Sequence, residues 1–219
     1  NRLERWIHAT PAVVSPSYWG LDPIDVTAEY VRGGAYSVNF FYVENGIVQF
    51  GVMGCPHLKL PGSSEGNEGE LLVAVQQRGA WHCGLTEGNQ FHRLRVSGRS
   101  SLEEATFARP LRDSSRRFTN DDYHLVTGCL RELGRAARGL RGVSPVRYAW
   151  VTSGEADFFL NHRLACIDSA FYVHDHAVGA LMVQEAGGRV TDLTGRPLDF
   201  SAPPTMEKNY GIVASNGPF

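Results

Sequence analysis

The stretch Leu21-Asp22-Pro23-Ile24-Asp25, reached through Ser17-Tyr18-Trp19-Gly20, constrains this chain more than any other. Pro23 fixes its own φ and biases Asp22 toward extended geometry, so the chain leaves a strand at a defined angle. Two aspartates held this close repel each other unless a cation sits between them or one is protonated. Hard oxygen ligands around Mg²⁺ answer that repulsion, and the Ile24 carbonyl lies within reach of the same site. An isolated D-P-x-D also reads as a strand-to-turn junction with two solvated acids. The far end of the chain bears on the choice.

The 219 residues suffice for one large domain or two small ones. A hydrophobic content of 42%, 20% charged residues and a net charge of −2 describe an ordinary soluble globular chain. Without a basic excess, no nucleic-acid polymer is expected as a partner. No apolar stretch approaches the ~18 residues of a membrane span. The chain starts at Asn1 rather than Met, and no signal peptide is visible. Cys55, Cys83, Cys129 and Cys166 are far apart and form no C-x-x-C pair, which suits reduced thiols in a cytoplasmic protein.

Taken in order, residues 1–16 read as a short helix or loop. Residues 26–34 form a loop or short helix closed by Gly33-Gly34. Residues 35–43 and 47–53 are β-rich and joined through Asn45-Gly46, a strong hairpin signal. Residues 61–70 form an acidic flexible loop without core-forming residues. Residues 71–76 make a third strand that turns at Arg78-Gly79-Ala80, and 91–97 a fourth. The first hundred residues thus read as an antiparallel meander.

Residues 101–219 read as an α/β half packed with the first into one compact unit. A short strand is expected at 105–108. Thr119-Asn120-Asp121-Asp122 resembles a capping box, and Val126, Leu130, Leu133, Ala137 and Leu140 then mark one face of a helix ending at Gly142. Arg131, Arg135, Arg138 and Arg141 form its solvated face. Residues 148–151 fit either strand or helix, and 158–160 a strand. Asp175 occupies an N-cap position before 176–186, a run apolar nearly all round and so a buried helix. Gly187-Gly188 stops it, and strands follow at 189–191 and 211–215.

A cap needs no function, but its surroundings are distinctive. His174-Asp175-His176-Ala177-Val178-Gly179-Ala180, then Glu185-Ala186-Gly187-Gly188-Arg189-Val190-Thr191-Asp192, resembles the W-D-x-A-x-G…E-A-G-G-x-x-T-D signature of the inositol-monophosphatase superfamily. Asp22-Pro23-Ile24-Asp25 resembles that superfamily's D-P-I-D-G-T. Arg32-Gly33-Gly34-Ala35-Tyr36, Gly51-Val52-Met53-Gly54-Cys55-Pro56-His57-Leu58 and Ser144-Pro145-Val146-Arg147-Tyr148 are similar to motifs of its 3'(2'),5'-bisphosphate nucleotidase branch. The resemblance implies an α+β or α/β layered sandwich of the inositol-monophosphatase, or sugar-phosphatase, type that lacks its N-terminal part.

By the same resemblance, Asp22, the Ile24 carbonyl, Asp25 and Asp175 are Mg²⁺ ligands, and Thr27 orients the nucleophile. Ser144, Arg147 and Arg163 would contact a small phosphorylated substrate, 3'-phosphoadenosine 5'-phosphate in that branch. The sequence departs from the pattern at several positions. The family's upstream acids have no visible counterpart, although Glu4 lies at roughly the right distance. Val26 stands for a glycine, His174 for a tryptophan and Asn161 for an arginine that Arg163 would replace. About a hundred upstream residues of the family are missing. The chain is then part of a longer one, or a homo-oligomer or another partner supplies the rest. Two readings remain: a Mg²⁺-dependent phosphomonoesterase, or a diverged relative repurposed for binding, assembly or other chemistry. A transition-metal site on the His174-Asp175-His176 triplet is disfavoured, because adjacent helical residues point in different directions. Ser-His-Asp catalysis lacks a nucleophile elbow.

Overall fold

The computed structural model describes residues 15–63, 66, 68–86, 90–111, 128, 132, 138–161 and 171–218. β1 (Ser17–Asp25), β2 (Ser37–Glu44), β3 (Ile47–Cys55), β4 (Glu70–Val75), β5 (Gly79–Gly84) and β6 (His92–Arg93) form a six-stranded sheet in chain order. Every neighbouring pair is antiparallel, as the meander predicts. Asn45 and Gly46 turn the β2–β3 hairpin at φ 52° and 77°, the paired positive angles of a type I′ turn.

Three details differ from the sequence expectation. Residues 79–84 are a full strand, and the turn before them falls at Gln76-Gln77-Arg78, with Gln77 at φ 59°. Of the expected fourth strand, His92 and Arg93 pair with β5, and the Leu94 N–H donates to the Ala80 carbonyl at 2.8 Å. Glu70 belongs to β4 rather than to the acidic loop; it is fully buried, with its Oε2 2.8 Å from His82 Nδ1.

Strict alternation sets the two faces of β2. Ser37, Asn39, Phe41 and Val43 point inward, while Val38 and Phe40 face out. On the outer face Trp19 stacks on Phe40 at 5.0 Å between ring centroids and on Tyr42 at 4.7 Å.

The second sheet holds β7 (Thr106–Pro110), β8 (Arg138–Gly142), β9 (Phe158–Asn161), β10 (Arg189–Thr191) and β11 (Ile212–Ser215), ordered β10-β11-β9-β7-β8. β7 runs parallel to β8 and β9; β11 is antiparallel to both its neighbours. Residues 138–142, expected as the end of a long helix, are therefore strand. Gly139 and Gly142 are poor helix formers, and parallel pairing with β7 prevails over the apolar spacing. Gly128 and Glu132 are helical. The other residues of that expected helix lie outside the described residues.

Among the described residues the other named elements are α1 (Thr27–Tyr30), α2 (Ser144–Ser153) and α3 (Val173–Glu185). Residues 148–151 are thus helical. α3 packs on the first sheet and on β10 and β11, while α2 packs on α3 and on β7, β8, β9 and β11. The two helices lie between the sheets, a layered α+β sandwich. That position explains why α3 is apolar nearly all round. A single cluster links Phe41, Met53 and Leu72 of the first sheet with Tyr148, Leu181 and Met182, then with Phe159 and Ile212 of the second. Close approach requires Gly179, where a Cβ would strike the Tyr148 ring. Among the described residues, no helix is long and apolar enough to cross a membrane. Cys55 and Cys83 are buried.

Candidate metal centre

The D-P-I-D stretch ends β1 in a bulge. Asp22 pairs with Asn39 and Asp25 with Ser37, so three steps on β1 oppose two on β2. Pro23, which has no N–H to give a ladder, occupies the extra length. The consequence is chemical. Residues three apart on a regular strand face opposite sides, whereas the bulge turns Asp22 and Asp25 to the same inner face, 9% and 6% exposed. Ile24 N–H donates to Asp22 Oδ1 at 3.1 Å. Asp25 Oδ2 accepts from Asn39 Nδ2 at 3.2 Å and from Ser37 Oγ at 3.4 Å.

Val26 follows at φ 65°, ψ 46°, a left-handed conformation that serves as the N-cap of α1. It bends the chain so that the Thr27 hydroxyl donates to the Ile24 carbonyl at 3.0 Å. A branched residue there is strained, and a glycine would not be.

The third carboxylate comes from α3. The helix begins at Val173, with Tyr172 as an N-cap that makes no side-chain cap bond. Asp175 is therefore a first-turn residue rather than the cap. Val173 and His176 enter the core, and His176 Nδ1 lies 3.2 Å from the Tyr148 hydroxyl. His174 and Asp175 stay partly exposed toward β1, with Nε2 and Oδ1 3.5 Å apart. Donor atoms of Asp22, His174 and Asp175 all lie within 4.8 Å of one another.

The charges register this convergence. Burial, then the Asp175 and Asp22 carboxylates, push Asp25 up to about 7, against hydrogen bonds from Asn39 and the Val26 backbone. Burial and Asp22 also raise Asp175, while His174 pulls it down. Carboxylates crowded enough that Asp25 and Asp175 resist ionisation, with an imidazole beside them, fit a divalent cation.

Ser144 and Arg147 lie in the first turn of α2. Arg147 is 4% exposed, with its guanidinium carbon 4.9 Å from the Phe159 ring centroid and Nη1 3.4 Å from the Leu160 carbonyl. Burial lowers it to about 10. Its Nε and the Ser144 Oγ have no hydrogen-bond partner among the described residues, and no ion pair there joins either to the aspartates. Arg163 lies outside the described residues.

Sequence reasoning missed Asn39, Ser37 and His174. The first two were detectable as polar residues on the inward phase of an apolar strand. As a metal ligand, His174 was considered within a triplet, and the triplet does split: His176 is a core residue, while His174 joins the carboxylates.

Comparison with known proteins identifies the family and the fold. The Inositol monophosphatase family pattern matches residues 7–218. A 3'(2'),5'-bisphosphate nucleotidase of Dictyostelium discoideum is 34% identical over 203 residues, covering 92% of this chain and 58% of the relative. A probable 3'(2'),5'-bisphosphate nucleotidase of Arabidopsis thaliana is 35% identical, with 92% and 55% covered. The chain thus spans little more than half the length of these curated relatives. A solved inositol monophosphatase of Thermotoga maritima superposes with a TM-score of 0.67 at 28% identity, over 93% of this chain and 65% of that one. With the family pattern matched over nearly its whole length and relatives at this identity, the chain belongs to the inositol monophosphatase family.

Proposed function

We propose that this chain carries the metal-binding part of a Mg²⁺-dependent phosphomonoesterase whose substrate is a small phosphorylated molecule, 3'-phosphoadenosine 5'-phosphate. The observation that carries the reading is the bulge that turns Asp22 and Asp25 inward to face Asp175. The relatives' names supply the substrate class.

Asp22, Asp25, Asp175 and the Ile24 carbonyl hold Mg²⁺. The ion, when bound, polarises the phosphoryl group and lowers the pKa of a water. The chain's own residues do the rest. Asn39 and Ser37 hold the Asp25 carboxylate in orientation. Thr27, exposed and tied to the Ile24 carbonyl, positions the attacking water. Ser144, Arg147 and Arg163 receive the phosphate and nucleotide; the unpartnered Ser144 Oγ and Arg147 Nε are donors available for that purpose.

One observation favours the other reading, a fold repurposed for binding or assembly. Val26, in a left-handed conformation, places a branched side chain where the resembled D-P-I-D-G-T signature has glycine. Phosphate release from 3'-phosphoadenosine 5'-phosphate at saturating Mg²⁺ separates the two. The phosphatase reading predicts turnover that Asp25→Asn abolishes. Equal release by both proteins contradicts it.

A further inference from the structure

His174 replaces an aromatic residue that offers a metal no lone pair, since an indole nitrogen only donates. Its imidazole is not loose. The ring stacks on Tyr172 at 5.2 Å between centroids and 23° between planes, and Tyr172 is itself bridged to Thr205. Thus held, Nε2 faces the carboxylates: it is 3.5 Å from Asp175 Oδ1, and the donors of Asp22, His174 and Asp175 all lie within 4.8 Å. Ligands about 2.1 Å from one ion sit roughly 3–4 Å from each other, so small side-chain adjustments close this set.

The donor chemistry differs from that of the neighbouring all-oxygen set. Mg²⁺ prefers carboxylate, carbonyl and water oxygens, whereas imidazole suits first-row transition ions. We propose that His174 Nε2 completes a mixed nitrogen–oxygen site with Asp22 and Asp175, which takes a transition dication of the Co²⁺ or Zn²⁺ type beside the Mg²⁺ position. The inference rests on the reading of Asp22 and Asp175 as metal ligands, which they share with the Mg²⁺ set. It makes the centre heteronuclear: an oxygen-only position around Asp25 and Ile24, and a nitrogen-bearing one at the start of α3.

Co²⁺ is the probe, because its visible bands report nitrogen ligation directly. Chelator-stripped protein is titrated with Co²⁺ and, separately, with Mg²⁺. His174→Phe keeps a ring to stack on Tyr172 and removes the lone pair; His174→Trp restores the family residue. The expected result is that both variants weaken Co²⁺ by about tenfold or more and alter its bands, while Mg²⁺ affinity moves by less than about twofold. Unchanged Co²⁺ affinity and bands in both variants overturn the assignment and leave His174 an ordinary ion-pair partner of Asp175. Wild type that binds neither ion overturns this inference and the metal reading together. Mg²⁺ binding that persists while the His174 effect is absent overturns this inference alone.

Discussion

Val26 holds a β-branched side chain in the left-handed region, at a cost of roughly 1–2 kcal/mol. Its side chain also packs against the core, so Val26→Gly trades relief of strain for lost burial and a floppier unfolded chain. These contributions nearly cancel, and unfolding free energy should change by less than about 1 kcal/mol. Turnover should respond far more. A backbone N–H freed to approach a phosphate oxygen is worth roughly 2.7–4 kcal/mol, about a hundredfold in rate. Phosphate release by wild type and Val26→Gly measures this; equal rates mean that valine is tolerated. Asp25 yields a pH prediction. Its folded value, about 7, lies above the usual 3.8, so folding favours the protonated acid. In the metal-free protein that contribution is fully present below about pH 4 and is lost as pH rises through about 7. Urea unfolding in chelator at about pH 4.5 and about pH 7.5 should show stability falling with pH, and Asp25→Asn should flatten the trend. A wild-type profile as flat as that of the variant would place Asp25 outside the charge cluster.

At the scale of elements, β2 offers a register test. Phe41 is 1% exposed and packs in the core, whereas Phe40, one residue earlier, is 40% exposed and stacked on Trp19. Phe41→Ala should cost about 3–5 kcal/mol and Phe40→Ala about 1 kcal/mol, read by urea unfolding. Equal costs would mean that the strand is slipped by one residue. This register was legible in the sequence, because Asn45-Gly46 fixes the hairpin and alternation fixes the faces. α3 was legible too, from its unbroken apolar run and the glycines after it. β5 was not: the turn expected at Arg78-Gly79-Ala80 overlaps its start, and only pairing with β4 shows the strand. β8 was misread because Leu140 falls in helical phase with the residues before it, and only pairing with β7 shows the strand. The bulge at Asp22–Asp25 was half legible. Proline marked a break in the ladder, but the inward turn of both carboxylates depends on the count of residues on β2. Position in the chain gave no sign that His174 would reach Asp22, which comes from the opposite end.

For the whole molecule, the layers place the candidate site where β1 meets α3. β1 contributes Asp22 and Asp25 from the edge of the first sheet, and α3 brings Asp175 from between the sheets. The continuous core from Phe41 to Ile212 packs the first sheet against α3, so the three carboxylates are held together at an electrostatic cost that a cation removes. An ion that binds only the folded chain must then stabilise it by linkage. At a hundred times its Kd the gain is about 2.7 kcal/mol, roughly 5–10 °C in Tm for a domain of this size. The most direct measurement is the melting temperature of wild type and Asp25→Asn across a Mg²⁺ titration. Wild type should rise with concentration, and Asp25→Asn should respond far less. A wild-type Tm indifferent to millimolar Mg²⁺, or a rise that Asp25→Asn shares in full, would contradict the assignment of these aspartates to a metal centre.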